Sequence, residues 1–168
     1  MGRVPIEIDP TMHPDCAPLA WMIGSWAGAG VVGYPSIESR HFGQEIEVTH
    51  DGRPFLQWTS RAWLLNEDGS KERAAAVETG FWRPQADGKE VELLLCHPTG
   101  IVEMYAGEMA PAKVEVRTDG VMRSPHAKEY TAAHRLYGYV NGNMMWVMDM
   151  AATGHALQSH VSAELKRV

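Results

Sequence analysis

Along most of the chain, apolar and polar residues alternate one for one. Glu45, Glu47 and Thr49 are interleaved with Ile46 and Val48, and Lys113, Glu115 and Arg117 with Val114 and Val116. A period of two sends successive side chains to opposite faces of a strand. Runs of this kind predict strands over residues 25–34, 42–50, 54–66, 73–84, 89–97, 100–109, 112–118, 129–140, 143–152 and 156–166. Between them stand "HDGRP", "NEDGS", "PQADGKE", "HPTG", "MAPAK" and "VNGN", all turn chemistry. Asn141–Gly142, between "HRLYGYV" and "NMMWVMDM", is the strongest hairpin signal. Residues 1–18 are proline-rich and irregular, with one helical turn expected over "APLAWMIG". Ten short antiparallel strands without a long helix predict a sandwich or an up-and-down barrel.

The stretch "GSWAGAG" favours the barrel. In an extended chain Gly24, Trp26, Gly28 and Gly30 share one face, and Ser25, Ala27 and Ala29 the other. Glycines inside a strand mark a bend or a close approach by another backbone. Closure also removes the exposed edges that invite aggregation. Eight strands already enclose one small ligand, and ten enclose more. A solid interior would need more bulky aliphatic residues than this chain offers. The expected fold is therefore all-β: a ten-stranded antiparallel up-and-down β-barrel with a pocket, one domain over residues 1–168. Met144, Met145, Met148 and Met150 read as core or pocket lining. Their soft side chains suit a large flat apolar ligand such as haem or a fatty acid.

Charge and motifs narrow the function. A net charge of −6 with no cluster of Lys and Arg argues against a nucleic-acid partner. No apolar run approaches the ~18 residues of a membrane span. The N-terminus lacks the basic and apolar regions of a secretory signal, and Cys16 and Cys96 read as two buried free thiols, so a cytoplasmic location is expected. Zinc, calcium, nucleotide-loop and hydrolase signatures are all missing, which disfavours a conventional acid–base enzyme. Of eight histidines, His155 and His160 invite a metal-pair reading, yet five residues apart on a regular strand they face opposite sides. Alternation groups His160 with Gln158, Ser162, Glu164 and Lys166, a set that reads as the solvent face unless it turns inward near a barrel mouth.

"GSWAGAGVVGYPSIESRHFGQEIEVTHDGRPFLQW", "ETGFWRP", "HPTGIVE" and "LQSHVSAEL" resemble the nitrobindin family, from about Leu19 onward. The resemblance implies a haem-binding barrel shaped like a fatty-acid-binding protein. Gly24, Trp26, Gly28 and Gly30 fill the family's G-x-W-x-G-x-G element, an architectural motif. In related barrels the tryptophan closes the base under a cation from the final strand, here Arg167 or Lys166. The family's axial histidine falls on His160, and the threonine lying against the haem on Ser36. A histidine common in the family is Ala76 here, so a distal hydrogen bond must come from elsewhere. His97 could serve, although in "CHPTG" a turn role is the simpler reading.

The implied function is that of a protein with one ferric haem b per chain, axially bound by His160. It binds nitric oxide and isomerises peroxynitrite to nitrate. The chemistry lies at the iron, so no catalytic side chain is named, and a homodimer is open. The alternative is a carrier of a fatty acid or another hydrophobic molecule, without haem, offering Arg40, Arg61 or Arg135 to an acid headgroup.

Overall fold

The computed structural model describes residues 8–168. Ten strands follow a 3-10 helix at Pro14–Met22: β1 Gly24–Tyr34, β2 Ile37–Thr49, β3 Leu56–Leu65, β4 Lys71–Pro84, β5 Glu90–His97, β6 Ile101–Ala110, β7 Lys113–Arg123, β8 Tyr130–Val140, β9 Asn143–Ala152 and β10 Gln158–Arg167. Each pairs antiparallel with its neighbours in sequence, and β1 pairs with β10 to close the barrel. Among the described residues no helix is long and apolar enough to cross a membrane.

The glycines of β1 make the closing seam possible. A Cβ on Gly28 would stand 2.2 Å from the Glu164 carbonyl oxygen, and one on Gly30 2.2 Å from that of Ser162. Only a residue without a side chain lets the two backbones approach so closely. Trp26 projects inward from the same strand, is 1 % exposed, and donates from Nε1 to the Met22 carbonyl at 2.9 Å. The 3-10 helix lies across this end of the barrel and buries Cys16, Leu19, Trp21 and Met22. Trp21 stacks on Tyr139 at 5.9 Å, which meets Trp26 edge-on at 6.4 Å. One layer further in, Trp58, Trp82, Tyr137 and Trp146 pack ring against ring at 5.2–5.8 Å. Indole and phenol rings thus fill the base as a solid core.

At the other end the ladder is irregular. Bulges interrupt β1–β2 between Val32 and Tyr34, β3–β4 between Arg61 and Trp63, and β9–β10 between Ser159 and Val161. Each bends its strand and re-aims side chains. β8 pairs with β7 only over Lys113–Arg117; beyond it the β7 backbone pairs with β6 alone, and the Thr118 hydroxyl bridges to Ala133 of β8.

Several expectations need correction. β2 starts at Ile37 and β7 runs on to Arg123, because polar stretches in each continue pairing past the alternating core. The helical turn expected over "APLAWMIG" is part of a nine-residue 3-10 helix beginning at Pro14, inside the segment expected to be irregular. Only Cys16 is buried; Cys96 is exposed, since alternation along β5 places it on the outer face between Leu95 and His97. Met145 likewise points outward from β9, while Met144 is buried.

Candidate functional site

The bulged end of the barrel holds a cavity of about 360 Å³. Val32, Phe42, Leu64, Met148, Met150 and Val161 give it apolar walls. Its inner end is polar, lined by Gln44, Ser60, Glu78, Glu103 and Arg135. The cavity follows from the same alternation that builds the strands, with large aromatic side chains below and smaller aliphatic ones above.

His160 reaches this cavity through the β10 bulge. Ser159 pairs with Asp149 and Val161 with Met148, which leaves His160 as the extra residue without a partner on β9. Strict alternation would put it on the outer face with Ser162 and Glu164. The bulge instead lets His160 and Val161 both line the cavity. The His160 ring is fixed by two contacts. Nδ1 lies 2.9 Å from the Gly33 carbonyl oxygen, and Tyr34 packs edge-on at 5.7 Å. A carbonyl can only accept, so Nδ1 carries the hydrogen and Nε2 keeps its lone pair. Burial lowers the His160 pKa, outweighing the opposing Gly33 bond, and so favours the neutral ring. Tyr34 is itself tied down, accepting from Ala152 N at 2.9 Å and donating to the Met150 carbonyl at 2.9 Å.

The polar end is a connected buried cluster. Arg135, 2 % exposed, donates two bonds to Glu78 at 2.8 and 2.9 Å and others to the hydroxyls of Tyr105 and Tyr137 at 3.1 and 3.0 Å. Trp58 Nε1 donates to Glu78 at 3.1 Å. Glu103 accepts from Tyr105 at 2.8 Å, from Tyr130, and from His97 Nε2 at 2.7 Å. Burial works against both carboxylates, yet their pKa values still lie below the usual range. Arg135 outweighs burial at Glu78; His97 and Arg135 do so at Glu103. Beside them Trp146 Nε1 donates to Gln44 at 2.9 Å, and Gln44 to Ser60 at 2.8 Å.

The other expected residues are dispersed. Ser36 is exposed in the two-residue turn between β1 and β2, three residues beyond Gly33, and is not among the residues that line the cavity. Ala76 lines the cavity, carried there with Ala75 by the β3–β4 bulge. His155 is exposed in the turn before β10, its ring edge-on to Tyr34 at 5.6 Å. His97 departs from its reading as a turn residue: it ends β5 and lines the cavity. Its partnership with Glu103 was open to detection in "HPTGIVE", because His97 pairs with Ile101 and so stands diagonal to Glu103 across the hairpin. Of the cations suited to a carrier, Arg135 is held bidentate by Glu78 and Arg40 pairs with Glu72, while Arg61 is exposed and outside the cavity lining.

Comparison with known proteins places this geometry. The chain is 49% identical, over 98% of its length and 99% of the relative's, to a protein named peroxynitrite isomerase from Nocardioides sp.. It is 46% identical to a ferric nitrobindin-like protein of Kineococcus radiotolerans, over 90% of this chain and 92% of the other. The crystal structure of Rv2717c from M. tuberculosis superposes with a TM-score of 0.83 at 32% identity, covering 94% of this chain and 99% of that one. The family model described as THAP4-like, heme-binding beta-barrel domain matches residues 15–167, and the chain belongs to that family.

Proposed function

We propose that the barrel holds one ferric haem b per chain through His160 Nε2, binds nitric oxide, and isomerises peroxynitrite to nitrate. The observation that carries this reading is the bond from His160 Nδ1 to the Gly33 carbonyl. It fixes the tautomer and leaves the other nitrogen with its lone pair, as a metal-ligating histidine requires. Relatives named peroxynitrite isomerase supply the reaction.

When bound, the haem would supply an iron that can take a small ligand, and the chemistry would be carried there. The chain supplies the rest. Phe42, Leu64, Met148, Met150 and Val161 would pack against a flat apolar ring system and exclude water. Gly33 and Tyr34 hold His160 at one orientation. Ser36, in the turn after β1, would reach the edge of the haem with its hydroxyl. The engagement of Arg40 and Arg135 with carboxylates weighs against the carrier alternative, because neither offers a free headgroup partner. A cytoplasmic location accords with two free thiols.

The test is an absorption spectrum of the purified protein with and without added haemin, followed by nitrate yield from peroxynitrite. The reading expects a Soret band and a nitrate yield that rises with haem loading. A colourless protein that takes up no haemin and instead binds a fluorescent fatty acid establishes the carrier.

A further inference from the structure

β5 and β10 lie five strands apart in either direction around the ten-strand ring. The two histidines that line the cavity, His97 at the end of β5 and His160 near the start of β10, therefore stand across the barrel from each other. We infer that His97, held by Glu103, is the polar contact to whatever small ligand occupies the side of the cavity facing away from His160, with Glu103 as its positioning residue. This rests on the assignment of His160 as the haem ligand.

The hydrogen bonds say which atom would do it. Glu103 is an acceptor, so the 2.7 Å contact commits Nε2 of His97 as a donor to that carboxylate. Nδ1 is left as the nitrogen available to the cavity. It lies 3.9 Å from Glu78 Oε2, too far for a direct hydrogen bond. A neutral Nδ1 accepts from a bound water; a protonated Nδ1 donates to an anion, and the imidazolium so formed sits between two carboxylates. Glu103 is itself held by Tyr105 and Tyr130, so the acceptor that sets the ring cannot drift. Arg135 is less suited to the role, since Glu78 and two tyrosines already take four of its five donors. On the adjoining β4, Ala75 and Ala76 present only methyl groups to the cavity. His97 would thus provide the polar contact that Ala76 cannot.

The test uses haem-loaded protein, with His97→Leu and His97→Gln compared with the unaltered chain. Two readouts are taken: fluoride affinity of the ferric form, because fluoride entering as HF brings a proton that Nδ1 can take and then donate back to the bound anion, and the C–O stretching frequency of the ferrous carbon monoxide complex. His97→Leu is expected to weaken fluoride about tenfold, equivalent to about 1.4 kcal/mol, and to shift the C–O frequency, while haem uptake stays intact. His97→Gln should recover part of both, and Glu103→Gln should broaden the C–O band as the ring loses its fixed acceptor. Unchanged fluoride affinity and C–O frequency in haem-loaded His97→Leu overturn the inference and leave the His160 assignment standing. Failure of the unaltered protein to take up haemin overturns both.

Discussion

Arg167 lies over the indole of Trp26, with its guanidinium carbon 4.2 Å from the ring centroid. The same guanidinium donates to the carbonyls of Trp21 at 2.9 Å and Ile23 at 2.5 Å, the 3-10 helix and its exit. One side chain of β10 thus fastens the tryptophan and the helix that covers it. Of the two cations suggested by the sequence, Arg167 takes the role. Trp26→Ala should cost about 3–5 kcal/mol, as for truncation of a buried tryptophan. Arg167→Ala should cost about 1–2 kcal/mol through the lost cation–π contact and carbonyl bonds. Thermal melts read both, and haem coordination in the folded fraction should not change. An unaltered melting temperature with lost haem binding in Trp26→Ala would show that base and site had been interchanged.

His160→Ala should leave the barrel folded, because one side chain at a bulge near the mouth contributes little to the aromatic core. Haem affinity should fall by more than the ~10–100-fold typical of losing an outer-shell partner, with an altered Soret band. Added imidazole should restore the original spectrum by filling the vacated space. His155→Ala is the control and should change nothing spectroscopic, since its ring is in an exposed turn. A wild-type spectrum in the His160 variant would move the ligand elsewhere.

Ser36→Ala should weaken haem retention by about 0.5–1.5 kcal/mol, the worth of one hydrogen bond. Competition for haem by apomyoglobin measures this directly. Peroxynitrite turnover per bound haem should be unaffected. Loss of turnover at full loading would instead make the hydroxyl part of the chemistry.

Glu78→Ala strips a buried guanidinium of its bidentate partner, and breaking such a pair typically costs about 3–5 kcal/mol. Replacing both partners, Glu78→Leu with Arg135→Met, should cost much less, because no charge is left unpaired. The lowered pKa values of Glu78 and Glu103 set the sign of the pH dependence. Carboxylates whose folded pKa is depressed contribute stability that is complete above the unfolded value, ~4.3 for glutamate, and that is lost as pH falls through the folded value. Denaturant midpoints should therefore be flat above about pH 5 and decline below about pH 4. The double variant should show a shallower decline; an identical one would mean that other carboxylates govern acid unfolding.

The sequence made the strands legible because alternation is a local property. All ten expected runs fall on strands, and β9 matches end to end at 143–152. The errors in β2 and β7 lie in polar extensions, where pairing continues although neither face is strongly apolar. The site was harder to see. Alternation tells which residues share a face but not whether that face meets packed rings or a cavity, so Arg135 and Glu78 could not be recognised as a buried pair. Bulges are harder still. One unpaired residue at position 160 moved a histidine from the expected solvent face to the cavity, and nothing in "LQSHVSAEL" announces where the ladder slips. Only the family resemblance singled out His160, and the bulge now supplies a physical reason for its orientation.

The seam between β1 and β10 also imposes an order of events during synthesis. Trp26 pairs with Arg167, and Val32 with Val161, so the contacts that close the ring join segments separated by nearly the whole barrel sequence. Such distant pairing is slow because a long loop must be closed first. Until β10 has left the ribosome, β1 and β9 each present an unpaired edge, and His160 has not yet been joined to the Gly33 carbonyl. The last strand therefore completes both the container and the histidine proposed to hold the haem iron. A nascent chain cannot capture haem in its finished geometry before it has hidden the edges through which it would aggregate.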